Sequence, residues 1–353
     1  MFRWLRRFAT VFFVFIVLAL AASHYYLQRY LDQPLAVVGS GIEYTLVEGG
    51  SLGSLAYGLE RQGVLETPRL LLLYSRLTQR GQNIQAGDYW LTPGTTPRDL
   101  LDKLERGDVR YFNVTLVEGW NLQNVMTALR SQSRLNHKIK DINDPALLAM
   151  LGVPENYTSL EGLLFPDTYR FHSQTTDLEL LRQAVLRMQQ VLAEEWQSRA
   201  DNLPYETAYE ALIMASLIEK ETGDASERAQ IAGVFVRRLQ RNMRLQTDPA
   251  VIYGMGSDFD GNLRRADLKN TNNPYNTYRF HGLTHTPIAL AGREAIHAAL
   301  HPAEGDSLYF VAKGDGSHYF SATLQEHLQA VNKYQIQQRR KDYSSAPKKK
   351  PSS

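Results

Sequence analysis

At 353 residues, with 43% hydrophobic and 22% charged side chains, the chain has material for two or three domains and a real core. A formal net charge of +2 gives no general attraction for nucleic acid, and no such partner is expected. No cysteine is present, which excludes disulfides and thiolate chemistry; nine histidines without HExxH-type spacing leave no metal or cofactor expected.

The amino terminus places Arg3, Arg6 and Arg7 before an apolar stretch from Phe8 to Ala22. That stretch has 15 residues, and extending it through Leu27 gives 20, about the number that crosses the hydrocarbon of a bilayer. Tyr25 and Tyr26 then fall at the interface and the arginines stay in the cytoplasm. A cleaved signal peptide is the competing reading, since Ala19-Leu20-Ala21 suits a signal peptidase. Both readings export the rest of the chain.

A repeat follows. YTLVEGGSLGSLAYGLERQGVL (44–65) aligns with VTLVEGWNLQNVMTALRSQSRL (114–135) at an offset of 70. Thr45 to Gly49 recur unchanged as Thr115 to Gly119, and Leu52, Leu55 and Leu59 answer Leu122, Val125 and Leu129. Each copy reads as a short strand, a glycine turn and an amphipathic helix. A second helix at about 67–79 and a strand at 88–91 complete a strand-helix-helix-strand unit in the first copy. That unit resembles a LysM-like module, a fold used to hold N-acetylglucosamine chains; a structural spacer with the same pattern is the alternative.

Residues 136–176 are broken by Pro145, Pro154 and Pro166. Helices are expected at about 177–199, 206–222 and 226–241. The stretch 245–292 has little periodicity, and its apolar and aromatic residues among turns favour a folded binding loop. A helix near 293–300 leads to a hairpin at 307–322 turning at Gly314-Asp315-Gly316, then a helix at about 323–338. The tail from Ser344 to Ser353 is disordered by composition.

Within 206–222, every residue from Ala211 to Ile218 except Ser216 is apolar, which requires a helix buried on nearly all sides. Glu219 continues the face of Leu212, Ala215 and Ser216, so it is expected to leave an apolar wall at a helix end. Burial raises a carboxyl pKa, and a proton held at neutral pH is what a general acid needs. Arg228, Arg237 or Lys220 can pair with it instead. Glu221 lies on the opposite side and is expected as a salt-bridge partner, with Gly223 ending the helix.

LEGLLFPDTY (160–169), MASLIEKETGDASERAQIAGVFVRRLQRNMRLQTDPAVIYGMG (214–256), YNTYRFHGL (275–283) and LYFVAKGDGSHYFS (308–321) together resemble the YceG-like family, over roughly residues 40–335. The resemblance implies an α+β chain: cytoplasmic residues 1–7, a transmembrane anchor at 8–27, a LysM-like βααβ module at 40–110, a mixed α+β catalytic domain at 111–340 that opens on the second repeat, and a basic tail at 341–353. It implies an inner-membrane enzyme with a periplasmic catalytic domain that cuts nascent peptidoglycan between N-acetylmuramic acid and N-acetylglucosamine. The expected product carries a 1,6-anhydro ring, and strand elongation stops there.

The same resemblance implies Glu219 as the catalytic acid. Penicillin-binding peptidoglycan synthases are the implied protein partners. Substrate-binding support is expected from Glu161, Gln246, Thr247, Asp248, Tyr275, Asn276 and Thr277. The chain departs from the family's proline-rich turns at Thr284 to Gly292. The rival reading is a non-catalytic peptidoglycan-binding scaffold of the wall-synthesis complex.

Overall fold

The computed structural model describes residues 2–155 and 157–337. The tail expected at 341–353 lies outside the described residues. Helix α1 (Phe2–Leu31) exceeds the expected 8–27 at both ends, because no proline or glycine interrupts it. Its part from Arg6 to Leu31 is long and apolar enough to cross a membrane. Only its last turn is covered. Leu31 is fully buried, and Leu27 and Tyr30 pack against the same core. The Tyr30 hydroxyl donates to the Thr67 carbonyl at 2.8 Å, and Arg98 donates to Gln28 at 2.7 Å and Asp32 at 3.0 Å.

The chain forms two compact units. The first comprises residues through Phe112 together with Arg134–Asn136 and Arg170–Thr175. It carries β1 (Ile42–Leu46), α2 (Leu52–Arg61), α3 (Pro68–Thr78), β2 (Gly87–Leu91) and α4 (Pro97–Arg106). β1 and β2 pair antiparallel from Ile42↔Leu91 to Leu46↔Gly87. Leu55 and Leu59 of α2, Leu71 of α3 and Tyr89 of β2 are buried together, so the helical spacing and the strand alternation meet in one core.

The second unit takes Asn113–Ser133, His137–Tyr169 and the chain from Thr176 onward. The second repeat keeps a strand, β3 (Phe112–Thr115), and a capped helix, α5 (Leu122–Arg130). Gly49 and Gly119 both adopt a left-handed φ, 74° and 76°, which explains why glycine recurs at the turn. Ser51 and Ser54 form the capping box of α2, and Asn121 and Asn124 form that of α5. Among the described residues no second βααβ unit follows. α6 (Pro145–Met150) is one short piece of helix, and β3 pairs with β4 (Thr168–Phe171).

Around α8 (Ala208–Glu221) lie α7 (Asp177–Gln197), α9 (Arg228–Gln240), α10 (Asp248–Met255) and α11 (Arg293–Leu300). All residues from Ala211 to Ile218 are buried, as the unbroken apolar run requires. Ser216 is accommodated because its hydroxyl donates to Ile213 O at 2.7 Å and accepts from Ile288 N at 3.0 Å. The helix ends on an extended Thr222 (ψ 140°) rather than on a left-handed Gly223.

The stretch 245–292 is folded. It contains α10, and Asn276 staples it by donating to the carbonyls of Asp267, Leu268 and Asn270. β5 (Tyr309–Ala312) and β6 (His318–Ser321) form the expected hairpin. After it, α12 (Leu324–Val331) passes into a π-helical turn through Gln337.

Candidate active site

The last turn of α8 presents two carboxylates in unlike surroundings. The Glu219 side chain is 6% exposed and tied down: Oε2 accepts from Gly292 N at 3.1 Å, and Arg228 Nη2 lies 3.5 Å from Oε1. Arg228 also binds Glu294 and lies 3.9 Å from Glu118. Burial raises the Glu219 pKa, with the Gly292 N–H opposing and the neighbouring Glu118 charge adding to it. Glu219 therefore serves an arginine-centred knot that joins α8, α9, α11 and the Glu118 turn.

Glu221 makes no ion pair among the described residues, which corrects its expected role as a salt-bridge partner. Desolvation pushes its pKa up to about 7; the Thr247 side chain and the Arg238 charge oppose this, and Asp248 reinforces it. Its carboxyl lines a cleft of about 620 Å³. One wall is Asn121, Gln123 and Asn124 of the second repeat; the other is Tyr253, Ser257 and Phe259, from α10 and the turn after it. Amides and aromatic faces in one groove suit a sugar chain.

A second cleft, of about 510 Å³, also reaches Glu221 and Asp248 and continues past Arg238 to β5 and α12. Both clefts are thus lined by this pair of carboxylates. Tyr278 donates to Asp248 Oδ1 at 2.6 Å and holds it in place. A further cleft of about 460 Å³ beside α6 carries Asp144 and Glu155 as its carboxylates and includes neither Glu221 nor Asp248.

Most of the other expected site residues stand behind these walls. Glu161 is 3% exposed; it accepts from Leu122 N at 3.2 Å and from the Tyr253 hydroxyl at 3.1 Å, joining the start of α5 to α10. Desolvation raises its pKa to about 7. Asn276 is 0% exposed and spends its amide on backbone carbonyls, and Thr247 and Thr277 are buried against each other at 3.0 Å. Tyr275 donates or accepts at Thr286 over 2.8 Å and packs edge-on against Tyr253. Gln246, at a left-handed φ of 54°, lines the second cleft with Asp248.

Asn121, Gln123 and Tyr253 are cleft residues that the sequence reading missed. A signal existed: where the first repeat has Ser51-Leu52-Gly53-Ser54, the second has Asn121-Leu122-Gln123-Asn124, so amides mark the copy that faces the cleft.

A family model described as the YceG-like family matches residues 44–333. A Bacillus subtilis (strain 168) protein named endolytic murein transglycosylase is 34% identical over 308 residues, covering 83% of this chain and 84% of its own length. A protein of the same name from Streptococcus pneumoniae (serotype 2, strain D39) is 28% identical, and the match covers 91% of this chain and 64% of that relative. Among solved structures, a YceG-like protein from Listeria monocytogenes superposes with a TM-score of 0.54 at 28% identity, covering 82% of this chain and 98% of that one.

Proposed function

The chain belongs to the YceG-like family, and we propose that it is an endolytic murein transglycosylase whose acid is Glu221 rather than Glu219. The observation that carries this is a carboxyl whose pKa is raised to about 7 in the lining of a cleft walled by amides and aromatic rings, the setting that a general acid acting on a sugar chain needs. The name shared by the relatives supplies the substrate class, murein.

In the proposed reaction, protonated Glu221 gives its proton to the glycosidic oxygen as the bond from C1 of N-acetylmuramic acid breaks. The 6-hydroxyl of the same sugar then attacks C1, and its proton passes to the Glu221 carboxylate. The new C1–O6 bond closes the 1,6-anhydro ring, and Glu221 ends protonated as it began. Asp248, kept in place by Tyr278, faces the positive charge that develops at the sugar. No second nucleophile is required, unlike in ordinary glycoside hydrolysis.

Glu219 holds Arg228 and the start of α11, and through them the turn that carries Glu221. Glu161, Thr247, Tyr275, Asn276 and Thr277 keep the walls in position. α1 serves as a single-pass inner-membrane anchor, with the catalytic unit on the periplasmic side. There, peptidoglycan synthases supply the strands. The strand-helix-helix-strand order of the first unit supports a LysM-like role in holding glycan.

Digestion of uncrosslinked glycan strands, with mass spectrometry of the ends, tests the reading. Anhydromuramyl ends from the wild type and none from Glu221→Gln are expected. Water-terminated ends would assign hydrolysis instead, with Asp248 as the base that activates water, and no new ends at all would leave the scaffold reading.

A further inference from the structure

We propose that the second cleft binds the short peptide carried by the murein strand, laid as an added strand along the open edge of β5. The inference rests on the reading of the chain as a murein-cutting enzyme and specifies the form of its substrate.

Four consecutive residues of β5, from Tyr309 to Ala312, line this cleft. Side chains alternate faces along a strand, so a cleft over one face would meet every second residue. A cleft that meets all four, with His318 of β6 besides, takes in the backbone edge of β5 together with a face of the hairpin. The hairpin register fixes what that edge offers. Lys313 N donates to Ser317 O at 2.9 Å, and the pairing steps back through Ala312↔His318, Val311↔Tyr319 and Phe310↔Phe320. Hydrogen-bonded and non-hydrogen-bonded pairs alternate, so Phe310 and Ala312 turn their N–H and C=O groups away from β6.

The sheet has only two strands, and no hydrogen bond to those outward groups occurs among the described residues. The preceding carbonyl, Leu308 O, is taken by Arg238 Nε at 2.6 Å, which leaves the open part of the edge beginning at Phe310. Across the cleft, Leu324, Leu328 and Val331 of α12 form an apolar wall, and Leu324 and Leu328 are more than half exposed. A strand edge facing an apolar helix is the arrangement by which extended peptides are captured.

Continuity and size select the occupant. Glu221 and Asp248 line this cleft as well as the first, so a ligand attached to the group being cut can enter it. In murein the peptide leaves the muramyl ring through the lactyl ether at C3, close to the anomeric carbon, and so must exit beside the acid. The outward positions of β5 are two, room for a short peptide rather than for a strand of another domain. The amide-rich cleft then takes sugars, and the strand-edged cleft takes the peptide.

The test compares peptide-bearing glycan strands with the same strands stripped by an amidase. For the wild type, kcat/KM is expected to be roughly tenfold or more higher on peptide-bearing strands. Ala312→Pro, which removes an outward N–H, and Leu328→Glu, at an exposed position, are expected to bring that ratio near one without slowing cleavage of stripped strands. Equal rates in the wild type, or a ratio unchanged in both variants, would overturn the proposal. Binding of both strands to Glu221→Gln separates the two levels. Preference for peptide-bearing strands there, with no cleavage by the wild type, keeps this inference and rejects the transglycosylase reading; equal binding rejects the inference alone.

Discussion

Glu219 Oε2 accepts the backbone N–H of Gly292 at 3.1 Å, which ties the end of α8 to the residue that caps α11. Two residues on, Glu221 accepts no such backbone bond among the described residues, and it lines both clefts. The pair therefore separates by substitution. Glu221→Gln is expected to lower kcat by roughly 10²–10⁴-fold, the range for loss of a general acid. Glu219→Gln is expected to keep catalysis within about tenfold and to cost about 1–2 kcal/mol of stability, because Arg228 loses one buried partner. Steady-state assays beside urea melts of both variants decide between them; the reverse pattern returns the acid to Glu219.

The pH profile should carry the same signature. An acid whose pKa is raised to about 7 is protonated below that value and ineffective above it, so kcat/KM should fall on the alkaline side with a midpoint near 7. Asp248→Asn removes a neighbouring charge that raises Glu221, so it should move this midpoint downward.

Glu161 predicts a stability effect away from the chemistry. Its folded pKa of about 7 lies above the ordinary value of 4.5, so the folded chain holds the proton more tightly than the unfolded one. That stabilisation is complete below 4.5 and is lost as pH rises through 7, on the order of 3 kcal/mol in all. Glu161→Gln should flatten this stretch of the stability curve, measured as urea midpoints across the interval. An unchanged slope would place the titration elsewhere.

Gly254→Ala should disturb α10. An added Cβ would meet Asn273 Oδ1 at 2.0 Å, and Asn273 is buried, donating to Val251 O and accepting from Tyr275 N, both at 2.9 Å. Its displacement is expected to cost roughly 1–3 kcal/mol. A lowered thermal midpoint with a raised KM is the expected result, since α10 walls the cleft that Glu221 lines.

Asn276→Ala distinguishes scaffold from contact. Loss of its three carbonyl partners should lower the melting temperature, with the same proportional loss on peptide-bearing and stripped strands. A KM effect without a stability change would return Asn276 to the substrate.

The buried helix was legible because an apolar run covering every side of a helix has one solution. The strand-helix-helix-strand unit was legible because its periodicities change at glycines and prolines. Which of two glutamates faces the cleft was not. The walls that decide it, Asn121 to Asn124 and Tyr253, arrive from distant parts of the chain, and helical geometry alone places Glu219 and Glu221 on opposite sides without naming the one that lines this cleft. Asn276 and Thr277 pose the same question: a polar side chain that binds a ligand and one that staples a loop have the same local sequence. The second cleft was illegible because β5 and α12 come to line it with Glu221 only after folding.

The last turn of α1 belongs to the core of the first unit, through Leu31 and the Tyr30–Thr67 and Arg98–Asp32 bonds. A bilayer that held α1 would thus carry that unit on a rigid stalk and not on a slack leash. Its standoff from the lipid surface would be set by helix length, at about 1.5 Å per residue. Residues added or removed in the exposed part of the last turns would then shift that height in steps while rotating the unit about the stalk, as on a screw thread.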